Sequence, residues 1–75
     1  MQTFEIKLFI DNIEQNLQVQ EEKAPADTYL ITQDQKFIAR IYKDTDGRWK
    51  TREVSDQSPS VIQAIGEEVE QNINQ

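Results

Sequence analysis

Apolar and polar residues alternate along the first part of the chain, and near its end the apolar spacing changes to that of a helix. Phe4, Ile6, Leu8 and Ile10 stand at every second position, as in a strand with one buried face. After residues 57–60 the apolar residues are Val61, Ile62, Ile65, Val69 and Ile73, and from Ile62 onward they stand three or four residues apart. The pattern therefore predicts antiparallel strands followed by one helix.

The first two strands, residues 3–10 and 13–20, are predicted to form a hairpin around Asp11 and Asn12. Both residue types tolerate positive φ, which a two-residue hairpin turn requires. This turn places four pairs on one face of the hairpin: Ile10 with Ile13, Leu8 with Gln15, Ile6 with Leu17, and Phe4 with Val19. A slip of one residue would expose every apolar member, so the register is strongly specified.

Residues 20–27 are charged and contain Pro25, which predicts a loop before a second hairpin of residues 28–33 and 36–43. These two segments are rich in β-branched and aromatic residues. Their register has two alternatives. A two-residue turn at Asp34 and Gln35 groups Leu30 with Phe37, Ala39 and Ile41, whereas a three-residue turn groups Tyr29 and Ile31 with them.

A third hairpin is predicted between residues 36–43 and 48–54, around the turn Asp44-Thr45-Asp46-Gly47. Glycine stands where a type I turn followed by a left-handed residue needs it. Lys43 then faces Trp49, and Ile41 faces Thr51. This register puts Trp49, Phe37, Ala39 and Ile41 on the core side and leaves Arg40, Tyr42, Lys50 and Arg52 on the other side.

The helix is predicted over residues 59–74. Ser58 is a favourable N-cap, and Pro59 suits the first helical position because its missing N–H would be unpaired there. Gly66 lowers helix propensity by about 1 kcal/mol relative to alanine. It indicates either a close approach to a strand or aromatic ring, or simple tolerance of a glycine.

These elements predict an α+β fold in which a four-stranded antiparallel sheet, in ββββα order, carries one C-terminal helix on one face. The count of four treats the middle two strands as one long or bent unit. With 75 residues, the chain has room for a single domain, residues 1–75.

The composition argues against an enzyme. The chain contains no histidine and no cysteine, so it lacks the commonest general base, thiol nucleophiles and most transition-metal ligands. The turn at Asp44 resembles the start of a calcium loop, but Ser55 occupies the twelfth position, where glutamate is required. We therefore predict a non-enzymatic protein with no catalytic, cofactor-binding or metal-binding residues.

The sequence also lacks the features of a membrane or exported protein. Met1 is followed directly by the strand pattern, without a basic leader or apolar signal core, and no apolar run is long enough to span a bilayer. The expected location is the cytoplasm.

The net charge of −6 is unevenly distributed along the chain. Residues 1–35 carry seven acids and two bases, residues 36–52 carry two acids and six bases, and residues 53–75 carry five acids and no base. The third and fourth strands of the prediction therefore form a basic island. Its side chains are expected on the sheet face that the helix leaves open.

This open face is the candidate interaction surface, with Phe9, Ile38, Arg40, Tyr42, Lys50 and Arg52 as its residues. Aromatic and basic side chains on an uncovered sheet suit contact with another protein or with a second copy in a homodimer. The alternative is a nucleic-acid or anionic-ligand binder using Arg40, Tyr42, Lys50 and Arg52. Because the isoelectric point is near 4.4, the long-range field repels phosphate, so the protein partner is preferred.

Overall fold

The computed structural model describes residues 3–24 and 26–73, and these form an α+β fold with one antiparallel sheet and a C-terminal helix. The strands are β1 (Thr3–Ile10), β2 (Ile13–Glu22), β3 (Thr28–Gln33), β4 (Lys36–Lys43) and β5 (Trp49–Thr51), and the helix is α1 (Pro59–Ile73). Pro25 and Asn74, which the sequence places in a loop and at the helix end, lie outside the described residues.

The sheet has five strands in the order β1-β2-β3-β4-β5, so the predicted count of four is wrong. The middle two segments are separate strands because Asp34 and Gln35 adopt positive φ, 50° and 68°, and reverse the chain in a tight turn. The general class, an antiparallel sheet with one C-terminal helix, is as predicted.

The register of the first hairpin is confirmed. Phe4 pairs with Val19, Ile6 with Leu17, Leu8 with Gln15, and Ile10 with Ile13. Asp11 and Asn12 have φ values of 53° and 66°, which match a two-residue turn with the twist of the flanking strands.

A β-bulge at Ile38 combines the two alternatives for the second hairpin. The turn has two residues, and Thr32 pairs with Phe37, but the register then shifts so that Ile31 pairs with Ala39. Tyr29 and Ile31 consequently share the core face with Ala39 and Ile41. Phe37 follows Thr32 to the opposite face and is 48% exposed, so its predicted place in the core is wrong.

The third hairpin follows its predicted register, with Lys43 opposite Trp49 and Ile41 opposite Thr51. Gly47 has a φ of 86°, and its N–H donates to the carbonyl of Asp44 at 2.9 Å. Trp49 is 7% exposed and belongs to the core, as predicted.

Helix α1 begins as its sequence indicates. The Ser58 hydroxyl accepts from the N–H of Val61 at 3.3 Å, which is an N-cap hydrogen bond. Gly66 is buried against the indole of Trp49, and a Cβ atom at this position would overlap the Trp49 ring. Of the two interpretations of this glycine, close approach to an aromatic ring is the one observed.

The core lies between the sheet and the helix. Its buried apolar residues are Ile6, Leu8, Leu17, Val19, Tyr29, Ile31, Ala39, Ile41, Trp49, Ile62, Ile65 and Val69. Helix α1 contacts both edge strands, β1 and β5, as well as β4. The sheet therefore curls around the helix, and its other surface, which we call the open face, points outward.

Candidate interaction surface

Four of the six predicted surface residues are neighbours on the open face. Tyr42 pairs with Lys50, and the N–H of Arg52 donates to the carbonyl of Arg40 at 2.8 Å. Alternation along β4 and β5 directs these four side chains away from the core residues Ile41 and Trp49.

The Arg52 side chain crosses β4 on the open face. The carbon at the centre of its guanidinium is 3.9 Å from the centroid of the Tyr42 ring, a cation–π contact. Its Nε donates to the hydroxyl of Thr28 on β3 at 3.1 Å. Thr28 is fully buried although it belongs to the open face, and its hydroxyl is in contact with this arginine.

The Arg40 side chain also crosses a neighbouring strand on the open face. Its Nε donates to Glu22 on β2, so the side chain passes over β3, and its Nη1 donates to Glu53 beyond β5. The hydrogen bond to Glu22 is the main reason why the pKa of Arg40 is raised. Leu30, which pairs with Arg40, is half-buried.

Lys50 is held by the turn that precedes it. Its Nζ lies 2.6 Å from a carboxylate oxygen of Asp44 and 3.4 Å from one of Asp46. The hydrogen bond between Lys50 and Asp44 lowers the pKa of that carboxyl and raises the pKa of the lysine.

The basic island is therefore largely neutralised within the chain. Three of its cations, Arg40, Lys43 and Lys50, form ion pairs with carboxylates, Lys43 with Glu70 of the helix at 2.6 Å. These pairs are exposed or partly exposed, and each contributes little to stability. Their main effect is to remove the excess positive charge that the linear sequence suggests.

Phe37 belongs to this surface, although the sequence placed it in the core. The Arg40 guanidinium carbon lies 6.0 Å from its ring centroid, and about half of the side chain is exposed. Regular alternation along β4 predicts Phe37 on the same face as Ala39, but the bulge at Ile38 interrupts the alternation and places Phe37 on the other face. Apart from the ambiguous register of this hairpin, nothing in the sequence signals the bulge.

The remaining two predicted residues lie apart from the first four, Phe9 at a distant part of the open face and Ile38 against the core. Phe9 is 70% exposed and pairs with Glu14 beside the first turn, at the far end of β1. Ile38 is the extra residue of the bulge and packs against the core, and its carbonyl accepts from the hydroxyl of Ser55 at 3.0 Å. The expected contribution of Ile38 to the open face is therefore wrong.

A cleft of about 320 Å³ lies beside the C-terminal end of α1, away from the open face. Tyr29 and Trp49 line it, with ring centroids 6.0 Å apart. Burial, followed by the charges of Glu21 and Asp27, raises the pKa of Tyr29.

Within residues 3–24 and 26–73, the side chains form no cluster of three or more acidic, histidine or cysteine groups suited to a metal ion.

Comparisons with protein families, with curated proteins and with solved structures found no match. In the described part of the chain, α1 is too short and too polar to cross a bilayer, and no other helix occurs there.

Proposed function

We propose that this chain is a non-enzymatic protein-interaction module whose contact surface is the open face of the sheet. The contact centre would consist of Phe37, Arg40, Tyr42 and Arg52, which we call the open-face patch. Its partner would be another protein or a second copy. The observation that carries this proposal is the cation–π contact of Arg52 with Tyr42 at 3.9 Å.

Fixed arginine and tyrosine side chains favour binding for two reasons. Both residue types are enriched among the residues that dominate protein interfaces. Association also costs free energy when long side chains must be ordered, and here Arg40 and Arg52 are already held by Glu22, Glu53 and Thr28.

Phe37 adds an exposed apolar surface to the patch. A half-exposed aromatic ring beside paired charges resembles the arrangement of an apolar centre with a polar rim. The face is convex because the sheet curls around α1, so a small contact or a partner with a concave surface would fit it.

Light scattering over a range of protein and salt concentrations tests the second-copy alternative. A homodimer through the patch should give twice the 8.8 kDa of the chain, and Arg52→Ala should shift the equilibrium to monomers. A particle of monomer mass at high concentration would leave a different protein as the partner.

Photo-crosslinking in the native cell tests that remaining alternative. A photoreactive residue in place of Phe37 should capture a defined protein, and Arg52→Ala should abolish the product. Arg48→Ala is the matched control, because Arg48 is exposed in the preceding turn. If neither position 37 nor Arg52 influences any product, and the chain is monomeric, the open face is not a binding surface.

The alternative of an anionic or nucleic-acid ligand has one favourable observation. Among the ion pairs of the described residues, Arg52 has no carboxylate partner. Two observations weigh against this alternative. Arg40 and Lys50 are each paired with carboxylates, and the chain has a net charge of −6. Titration with labelled single-stranded RNA at low salt decides, since absence of binding removes this alternative.

A further inference from the structure

The first hairpin extends beyond the rest of the sheet. Pairing between β2 and β3 begins at Gln18, so residues 13–17 of β2 pair with β1 alone. Together with residues 6–10 of β1 they form a two-stranded ribbon, which we call the hairpin arm. Its length follows from the short β3, which ends at Gln33 before the next turn.

The β3 side of this arm is an unpaired strand edge. The backbone hydrogen bonds found outside regular elements in the described residues do not involve residues 13–17. The neighbouring contact is between side chains, from Gln33 Nε2 to Gln15 Oε1. Unpaired N–H and C=O groups on an edge are a template for another strand.

Apolar side chains stand exposed on both faces of the arm. Phe9 is 70% exposed and belongs to the open face, whereas Ile13 is 61% exposed and belongs to the face that carries the core. An added strand beside β2 directs alternate side chains to the two faces, so it could bury apolar surface against Ile13, whereas Phe9 stands on β1, one strand further away.

Charge decides which occupant fits this edge. The arm carries Glu14 and Lys7, its turn adds Asp11, and the whole chain has a net charge of −6. This charge disfavours pairing of one arm with the arm of a second copy, whereas a basic partner is attracted. Basic side chains on an added strand would meet the two acids beside the exposed apolar groups.

We propose that the hairpin arm binds an extended, basic segment of another protein by strand addition to residues 13–17 of β2. The segment alternates apolar residues with lysine or arginine. This site is separate from the open-face patch, so either can fail without the other.

An NMR titration with a short, end-blocked peptide of alternating valine and lysine tests the proposal on the full chain. Bound peptide should slow hydrogen exchange at the amides of residues 13–17 that face away from β1, by about tenfold or more at saturation. A peptide of alternating valine and glutamate, and a valine-lysine peptide N-methylated at alternate residues, should bind much more weakly.

Ile13→Thr and Val54→Thr form a matched pair of variants. Both residues are exposed, at 61% and 94%, and threonine preserves strand propensity, so the fold should persist. Ile13→Thr should weaken peptide binding roughly tenfold through lost apolar burial, and Val54→Thr by less than about twofold. Arg52→Ala should leave binding unchanged.

Several results would overturn this inference. They are absence of peptide binding, equal binding of the acidic or N-methylated peptide, equal effects of the two threonine variants, and slowed exchange confined to other residues. A free chain that dimerises with residues 13–17 protected would make the second copy the occupant and would also contradict the proposal.

Discussion

A single glycine in the middle of α1 is explained by one aromatic side chain. Gly66 is buried, and the Trp49 indole occupies the space that a Cβ would fill. Glycine has a poor helix propensity, but its missing side chain lets α1 approach Trp49 of β5 closely. This close approach buries Trp49, the largest side chain of the protein, in the core at 7% exposure.

Substitution of Gly66 by alanine should therefore destabilise the protein. Overlap with the Trp49 ring is expected to cost up to about 3 kcal/mol, which exceeds the gain of about 1 kcal/mol in helix propensity. Urea unfolding measures the difference. Because Trp49→Phe provides a smaller ring, the cost of Gly66→Ala should fall in that background, and stabilisation by Gly66→Ala alone would contradict the close contact.

At the scale of the elements, the bulge in β4 reconciles a local and a distant requirement. The turn at Asp34 and Gln35 favours one register, while burial of Tyr29 and Ile31 with Ala39 and Ile41 requires another. One extra residue, Ile38, satisfies both. The Ser55 hydroxyl, which donates to the Ile38 carbonyl, also ties the segment before the helix to this point.

The start of α1 depends on a capping hydroxyl. Ser58→Ala should lower the free energy of unfolding by about 0.5–2 kcal/mol, because the N–H of Val61 loses its side-chain acceptor. Ser60→Ala is the control, since its hydroxyl contacts only that of Ser58 among the hydrogen bonds of the described residues. Equal losses in the two variants, measured by urea unfolding, would argue against the N-cap.

At the scale of the whole molecule, the helix protects one edge of the sheet. The side-chain oxygen of Gln63 accepts from the N–H of Trp49 on β5 at 2.9 Å, and α1 also contacts β1. The curl that brings both edge strands to the helix turns the open face outward. Near the first turn, Phe9 and Ile13 of the hairpin arm stay exposed, whereas Ile6, Leu8 and Leu17 of the same arm belong to the core.

Stability should decrease at alkaline pH because of Tyr29. Burial and the nearby acids Glu21 and Asp27 raise its pKa above the usual 10.0, so the unfolded chain loses this proton first. The contribution is fully present below that pH and is lost as the pH rises through the higher folded value.

Tyrosine absorbance of Tyr42→Phe isolates this group, since the chain contains two tyrosines. The remaining phenol should titrate above 10.0 while the protein is folded, and urea unfolding should become easier over the same range. A midpoint at or below the usual value would mean that Tyr29 is solvated.

The sequence by itself determined the features that depend on neighbouring residues. The alternation and the turn residues Asp11 and Asn12 specify the first hairpin, Gly47 specifies the third turn, and Ser58 marks the helix start. These follow from local backbone preferences and from a side-chain period that a slip would invert.

Only the tertiary structure decided which distant groups meet. Arg40 pairs with Glu22 and Glu53, which are 18 and 13 residues away, and Trp49 lies against Gly66 of the helix. Likewise, the shift that moves Phe37 onto the open face follows from packing of two strands against one core. Such contacts depend on the relative placement of whole elements, which no local period encodes.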